Sequence, residues 1–495
     1  MPRSIDQAEP LKNIRRQIRL LPLIALIYFS ASGGAYGFET AISSSGAGMT
    51  LILLIVVPLI LSVPFALMTA ELGAALPLEG GYYAWVKIAL GPFIGFMEAM
   101  FSWLASWLDT ALYPVIFVDY LALWFPGLRR GQHTVISLWN GGFSIDSHWL
   151  MAVLFMVPLA ILNARGAKIV GNTMIAFMVA ILTPFVVLIF LAAGHLLTTP
   201  GVHPLQPFTV PGTSATSSAS AGLAIMIWSY IGYDSITTAG GEIKDPVRTF
   251  PKALLITVPL IAIGYILPVL ASLISGLHAN DVTLWENGDF ALAGGLLGGP
   301  WLKNTLVIGA LLSQIGLFSS LLFCVSRIPM VLAADHYLPQ SLARINPRTG
   351  APVRSIILSC GIYAVFIALN FTTIIDADVI LILFGLLLEF AALIALRLRY
   401  PDMKRPYTVP GGWFGAIGIA IFPTLLTLWL LNTSLTTEPI AFWIGVGLPT
   451  LAACSYPALR RWVKGDRPDA DLDLSEVDFG PGINPHEVVR GEWKP

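Results

Sequence analysis

The sequence predicts an all-α polytopic membrane protein of about twelve transmembrane helices, two of them interrupted. Three observations predict it. Of 495 residues, 56% are hydrophobic and only 12% are charged, against about 25% charged in soluble domains. Apolar runs long enough to cross a bilayer recur from end to end. Two of those runs contain residues ill suited to a continuous helix in lipid, Ser30 to Glu39 and Ser229 to Asp234. Backbone groups freed at that depth are tolerated only where protein buries them or a wet cavity receives them. Two broken helices at corresponding places in two halves of a chain point to a transporter's substrate site.

In chain order, residues 1–19 are a basic tail that runs into a full-length span with no small-residue cleavage site, so no cleavable signal peptide is expected. The first span is Leu20 to Ser44, broken by Gly33, Gly34 and Gly37, and the second is Met49 to Leu76. A polar-aromatic connection, Pro77 to Trp85, is long enough to dip back into the membrane. Spans three to five are Pro92 to Phe125, His148 to Leu162 and Gly171 to Leu197. The sixth, Ala219 to Gly241, carries the second break; the seventh and eighth are Ala253 to Leu277 and Leu302 to Ala333. Val353 to Asn370, Ile374 to Arg399, Trp413 to Leu431 and Ile440 to Arg461 complete the set. The acidic, proline-containing tail at 464–495 reads as a disordered cytoplasmic segment.

With both termini inside, all of the 28 lysines and arginines except Arg129, Arg130 and Lys303 fall on the cytoplasmic side. That is the excess expected of cytoplasmic loops. Cys324, Cys360 and Cys454 lie singly in apolar runs and form no disulfide or metal framework. No cofactor, metal, nucleic-acid partner or obligate partner protein is indicated, and a net charge of −1 selects none. Motifs such as His-Glu-x-x-His or Gly-x-Ser-x-Gly are absent, which ranks a membrane enzyme last. A sensor that binds without cycling stays open.

The acids that stand out within or near the spans are Glu39, Glu71, Glu98, Asp109, Asp119, Asp234 and Glu389, against one base at comparable depth, Arg327. Intramembrane charges cost several kcal/mol and normally face a partner or a wet cavity. The missing positive charge is therefore expected from outside, as a cationic substrate or a proton. Glu98 and Asp109 are separated by about three helical turns plus 20°, so they share a face, with Ser102, Ser106 and Tyr113 on or near it.

Several runs carry a resemblance. Ser32-Gly33-Gly34 with Gly37 and Glu39, Asp109 to Pro114 with Asp119-Tyr120, and Asp234-Ser235 followed by Gly241-Glu242 and Asp245-Pro246 are three of them. Thr249 to Ala253, Leu388-Glu389-Phe390, Arg397 to Pro401 and Arg405-Pro406-Tyr407 complete the pattern. Over Leu20 to Gly412 the chain resembles the amino acid–polyamine–organocation transporter superfamily, and within it the polyamine-uptake branch of plants and protozoa. The resemblance implies a LeuT-like fold: inverted five-helix repeats at 20–197 and 219–399, then two further helices at 413–461. Two departures are plain. Ile231-Gly232-Tyr233 stands where that branch typically has Asn-Tyr-Trp and is closer to general amino-acid permeases. Within the fifth span, the apolar run Ile175 to Leu182 has no lysine of the kind some proton-coupled relatives use, so that mechanism does not carry over.

The expected activity is secondary active import of polyamines or related organic cations across the plasma or inner membrane, coupled to a proton. An amino-acid permease of the same superfamily is the alternative. Ser32, Gly33, Gly34, Gly37, Glu39, Asp109, Tyr230, Tyr233 and Asp234 are the expected substrate contacts. Amides at Gly33 and Gly34 would take a carboxylate, acids would take an amine, and the two tyrosines would offer cation–π faces. Glu98 and Glu389 are candidates for coupling or gating, and Ser319 and Ser320 keep a sodium site open.

Overall fold

In the computed structural model, residues 17–462 are described, apart from 79, 139–142, 336, 370 and 438. The two tails read from the sequence thus lie almost wholly outside the described residues. The chain is helical nearly throughout. Among the described residues nine helices are long and apolar enough to cross a membrane. In lipid a helix is the element that satisfies its own backbone, and this composition demands that solution.

The first break divides α1 (Leu20–Ala31) from α2 (Glu39–Ser45). Next come α3 (Ala47–Val57) and α4 (Val63–Ala75), joined by one π turn at Pro58–Ser62, where proline has no N–H for the regular ladder. The connection at Pro77 to Trp85 becomes a short buried helix, α5 (Tyr82–Leu90), pinned by Trp85 Nε1–H to Leu76 O (2.9 Å). Then follow α6 (Pro92–Leu121), α7 (Ser147–Ala164) and α8 (Ala167–Thr198). A two-stranded hairpin, Ile136–Leu138 with Phe143–Ile145, lies between α6 and α7. The second break follows α9 (Ala215–Ser229).

Beyond it run α10 (Pro246–Ile274), the short α11 (Asp289–Gly298) and α12 (Pro300–Val325). The eighth span, read as one helix, is divided at Ser326 between α12 and α13 (Arg327–Ala334). The ninth is helical only over α14 (Val353–Phe366), shorter than the sequence run suggests. The last three are α15 (Phe371–Arg399), α16 (Gly412–Thr437) and α17 (Pro439–Trp462).

Burial sorts these helices. The apolar windows of Pro92–Leu121 and Pro300–Ala334 are 72% and 78% buried, those of Gly412–Asn432 and Phe442–Leu459 only 28% and 22%. So α6 and α12 are interior and α16 and α17 peripheral. Exposed Phe190, Leu255 and Phe414 fit an apolar solvent around the rim. The interior helices carry the polar side chains.

Candidate functional site

The two breaks meet. Gly232 has φ +95°, and a Cβ there would lie 2.3 Å from Ser30 O, so only glycine lets the second break touch the first. Ser30 Oγ–H donates to Gly232 O at 3.0 Å across the contact. Carbonyls freed by the breaks are met by hydroxyls from other helices. Tyr265 O–H lies 3.0 Å from Ser229 O and 3.3 Å from Ala31 O, bridging the ends of α9 and α1. Ser313 O–H donates to Gly33 O (2.5 Å) and Ser62 O–H to Tyr230 O (3.1 Å). This is the internal repair that interrupted helices need at membrane depth.

A cavity of about 70 Å³ opens beside this junction. Ser30, Ser32, Gly34, Ser229, Gly232 and Asp234 of the breaks line it, with Asp109 and Tyr113 of α6, Trp228 of α9 and Gln314 of α12. Its charged lining residues are Asp109 and Asp234 alone among the described residues. Asp109 Oδ1 accepts from Tyr113 O–H (2.7 Å) and Trp228 Nε1–H (2.9 Å), and the two rings stack at 6.2 Å. One carboxylate thus holds two aromatic faces in place. Gln314 is fully buried, and neither its amide nitrogen nor its oxygen has a hydrogen-bond partner among the described residues.

Asp234 joins the cavity to a cluster of acids. It stands at the N-terminal end of the turn Ser235–Thr238 that follows the break, and it faces the cavity. Its carboxylate lies within electrostatic reach of Glu389. Glu98 lies within electrostatic reach of both. Ser102 O–H donates to Glu98 Oε1 (2.9 Å), whereas Glu98 Oε2 and Glu389 Oε2 are buried without a partner among the described residues. A Cβ at Gly385 would come within 3.0 Å of Glu98 Oε1, so α15 presses directly on this carboxylate.

Several expected contacts are placed elsewhere. Glu39 is fully buried and does not line the cavity; it accepts from Gly37 N–H (2.8 Å), Tyr120 O–H (2.5 Å) and Gly288 N–H (3.3 Å). It ties the first break to α6 and to the loop before α11, and the amide of Gly37 is spent on it. Gly33 N–H donates to Tyr28 O (3.2 Å) and Gly34 N–H to Ser32 Oγ (3.1 Å), so neither amide is vacant. Tyr230 and Tyr233 are buried outside the cavity, Tyr230 O–H donating to Leu54 O (2.8 Å) and Tyr233 lying edge-on to Phe65. The turn at Gly232 directs both away, and Trp228, Tyr113 and Tyr265 supply the aromatic faces instead. Ser319 accepts from Asn163 Nδ2 (2.9 Å) and Ser320 donates to Leu26 O (3.0 Å), tying α12 to α7 and α1.

A family profile described as amino acid permease matches residues 19–449. The chain is 34% identical to polyamine transporter PUT1 of Oryza sativa subsp. japonica over 95% of this chain and 84% of that protein. It is 33% identical to polyamine transporter RMV1 of Arabidopsis thaliana, over 83% and 79% of the two chains. Branched-chain amino acid permease BcaP of Bacillus subtilis (strain 168) is more distant, 24% identical over 88% and 92%. The chain belongs to the amino acid permease family. It is a multi-pass secondary transporter of small organic solutes, not an enzyme.

Two further features of this permease bear on its site. Asp378 of α15 is fully buried, with both carboxylate oxygens unpartnered among the described residues, and it was not among the acids that stand out in the sequence. The signal that finds it is spacing: 378, 382, 385 and 389 share one helical face. Ion pairs gather where α4, α5, α13 and α15 end. Glu71 is fully buried and holds Arg397 (2.9 and 2.5 Å) and Val409 N–H (2.7 Å), with Arg405 at 3.6 Å. Lys87 and Tyr83 bind Asp335, and Arg327 binds Glu242. Among the described residues no group of three or more His, Cys, Asp and Glu is arranged to hold a metal.

Proposed function

We propose that this permease imports polyamines or related organic cations by proton-coupled alternating access. The observation that carries this reading is the charge of the cavity. Its lining has two carboxylates and no base among the described residues, and Asp234 leads into two more acids without cationic partners. Burying such charges is costly until a cation or a proton neutralises them. An amino acid would also need an anion site, and the Gly33 and Gly34 amides that would form it are internally bonded. The two plant relatives are named polyamine transporters.

The architecture that goes with this reading is twelve spans: inverted repeats at 20–197 and 219–399, helices at 413–461, and tails 1–19 and 464–495 in the cytoplasm. In that orientation the Glu71, Asp335 and Glu242 ion pairs lie on the cytoplasmic side and latch it, and inward opening must break them. Glu98, Asp234 and Glu389 carry the coupling proton. Ile231-Gly232-Tyr233 and the likeness to BcaP favour the second reading, an amino-acid permease; its substrate would have to draw the Gly34 amide from Ser32.

Uptake by proteoliposomes tests the choice. Putrescine is expected to be concentrated in response to an inward proton gradient, without external sodium, and a protonophore is expected to abolish it. Concentration of neutral amino acids with no competition by putrescine refutes the polyamine reading.

A further inference from the structure

We propose that Asp378 joins Asp109 in a second ammonium site, set apart from the one at Asp234, which makes the cavity select linear cations with an amine at each end. The inference rests on the polyamine reading above and assigns a residue to it. Asp378 and Glu389 lie on one face of α15, with Ile382, a cavity-lining residue, and Gly385, which meets Glu98, between them. The facing stripe of α6 runs Glu98, Ser102, Asp109, Tyr113. Glu98 sits beside Glu389, and Asp109 and Tyr113 lie within electrostatic reach of Asp378, as two antiparallel helices require. Carboxylates therefore occupy both ends of the contact between α6 and α15, and of that contact Asp109 and Ile382 line the cavity. On each helix eleven residues separate them, about 16 Å along the axis at 1.5 Å per residue.

What lies between fits an alkyl amine. Ile116, Leu317, Leu321 and Ile382 are apolar cavity residues suited to methylene groups. Gln314, buried, unpartnered and lining the same cavity, offers a carbonyl acceptor to an amine within the chain of the ligand. Tyr113 and Trp228 both bind Oδ1 of Asp109, so Oδ2 carries neither bond. A buried carboxylate such as Asp378, with no donor among the described residues, is unfavourable in the empty protein and becomes favourable once a cation reaches it.

Equilibrium binding to the purified full-length protein tests this, with α,ω-diaminoalkanes from diaminobutane to diaminododecane, spermidine, and butylamine as the one-ended probe. The wild type is expected to bind long diamines more tightly than butylamine. Asp378→Asn is expected to weaken the long diamines by about 30-fold or more, the ratio for truncating a buried charge pair, and to leave butylamine within about twofold. The melting temperature of the empty protein is expected to hold or rise in Asp378→Asn, because an unpaired buried charge has gone. Asp378→Glu, which keeps the charge, is expected to retain the preference for long diamines. Equal losses for butylamine and long diamines, or failure of both variants to fold, make Asp378 structural and overturn the assignment. Diamine binding that Asp378→Asn leaves unchanged overturns it too, with the polyamine reading intact. A wild type that binds no diamine defeats that reading itself.

Discussion

Replacing Gly232 by alanine strikes the contact on which the two broken helices depend. The new Cβ would lie 2.3 Å from Ser30 O, 3.1 Å from Ser30 C and 3.4 Å from Ala31 Cα, all backbone atoms that no side-chain rotation can move. Bringing the closest contact to a tolerable 3.0 Å separates the breaks by about 0.7 Å, stretching the Ser30–Gly232 hydrogen bond of 3.0 Å. The positive φ costs a side chain about 1–2 kcal/mol, and overpacking adds about 1–3 kcal/mol, for a total of about 2–5 kcal/mol. Gly276 isolates the first of these: its φ is +77°, and a Cβ there meets nothing within 4 Å. Thermal unfolding of the purified variants is expected to place Gly276→Ala slightly below wild type and Gly232→Ala well below both. Gly232→Ala is also expected to lose its ligand-induced rise in melting temperature, whereas Gly276→Ala keeps it. If Gly232→Ala is no less stable than Gly276→Ala and binds ligand normally, the breaks do not depend on this approach.

Asp109→Asn keeps a carbonyl oxygen for Tyr113 and Trp228 but loses the charge. Diamine affinity is expected to fall by about 2–5 kcal/mol, and binding of a neutral amino acid to change little, as calorimetry of both ligands will show. Glu71→Gln leaves the partly buried Arg397 and Arg405 without their fully buried counter-ion and is expected to cost about 3 kcal/mol; a loss below about 1 kcal/mol in unfolding measurements would make the cluster dispensable.

The breaks were legible because glycine, serine and a carboxylate within an apolar run contradict a lipid-facing helix. Which side chains reach the cavity was harder to read. Tyr230 and Asp234 are four residues apart and would share a face on a continuous helix, but the positive φ of Gly232 sends one to Leu54 O and the other to the cavity. Glu39 carried the right chemistry in the right stretch, yet its donors include Tyr120 and Gly288, 81 and 249 residues away. Only packing brings them together. The stripe of α6 was legible from helical period alone, whereas its counterpart on α15 starts at Asp378, close to the beginning of a span, where an acid reads as a solvated rim. Burial among α6 and its neighbours, not sequence position, makes that carboxylate unusual.

The acid cluster also bears on how a cation and a proton can travel together. With a single carboxylate at the Asp234 end, an arriving ammonium would displace the proton, and the two would exchange. Three are present, and an ammonium paired with Asp234 leaves Glu98 and Glu389 still in need of neutralisation. Charge bookkeeping therefore favours a substrate and a proton bound at once, the arrangement that import driven by an inward proton gradient requires. Glu389→Gln separates coupling from binding, because glutamine keeps the size and polarity of the side chain beside Asp234 without carrying a titrating proton. In proteoliposomes this variant is expected to retain exchange of labelled putrescine for unlabelled substrate at equal pH. It is expected to lose accumulation driven by a proton gradient. A variant that accumulates substrate as steeply as wild type under the same gradient removes Glu389 from the coupling path, and loss of exchange as well would assign it to binding.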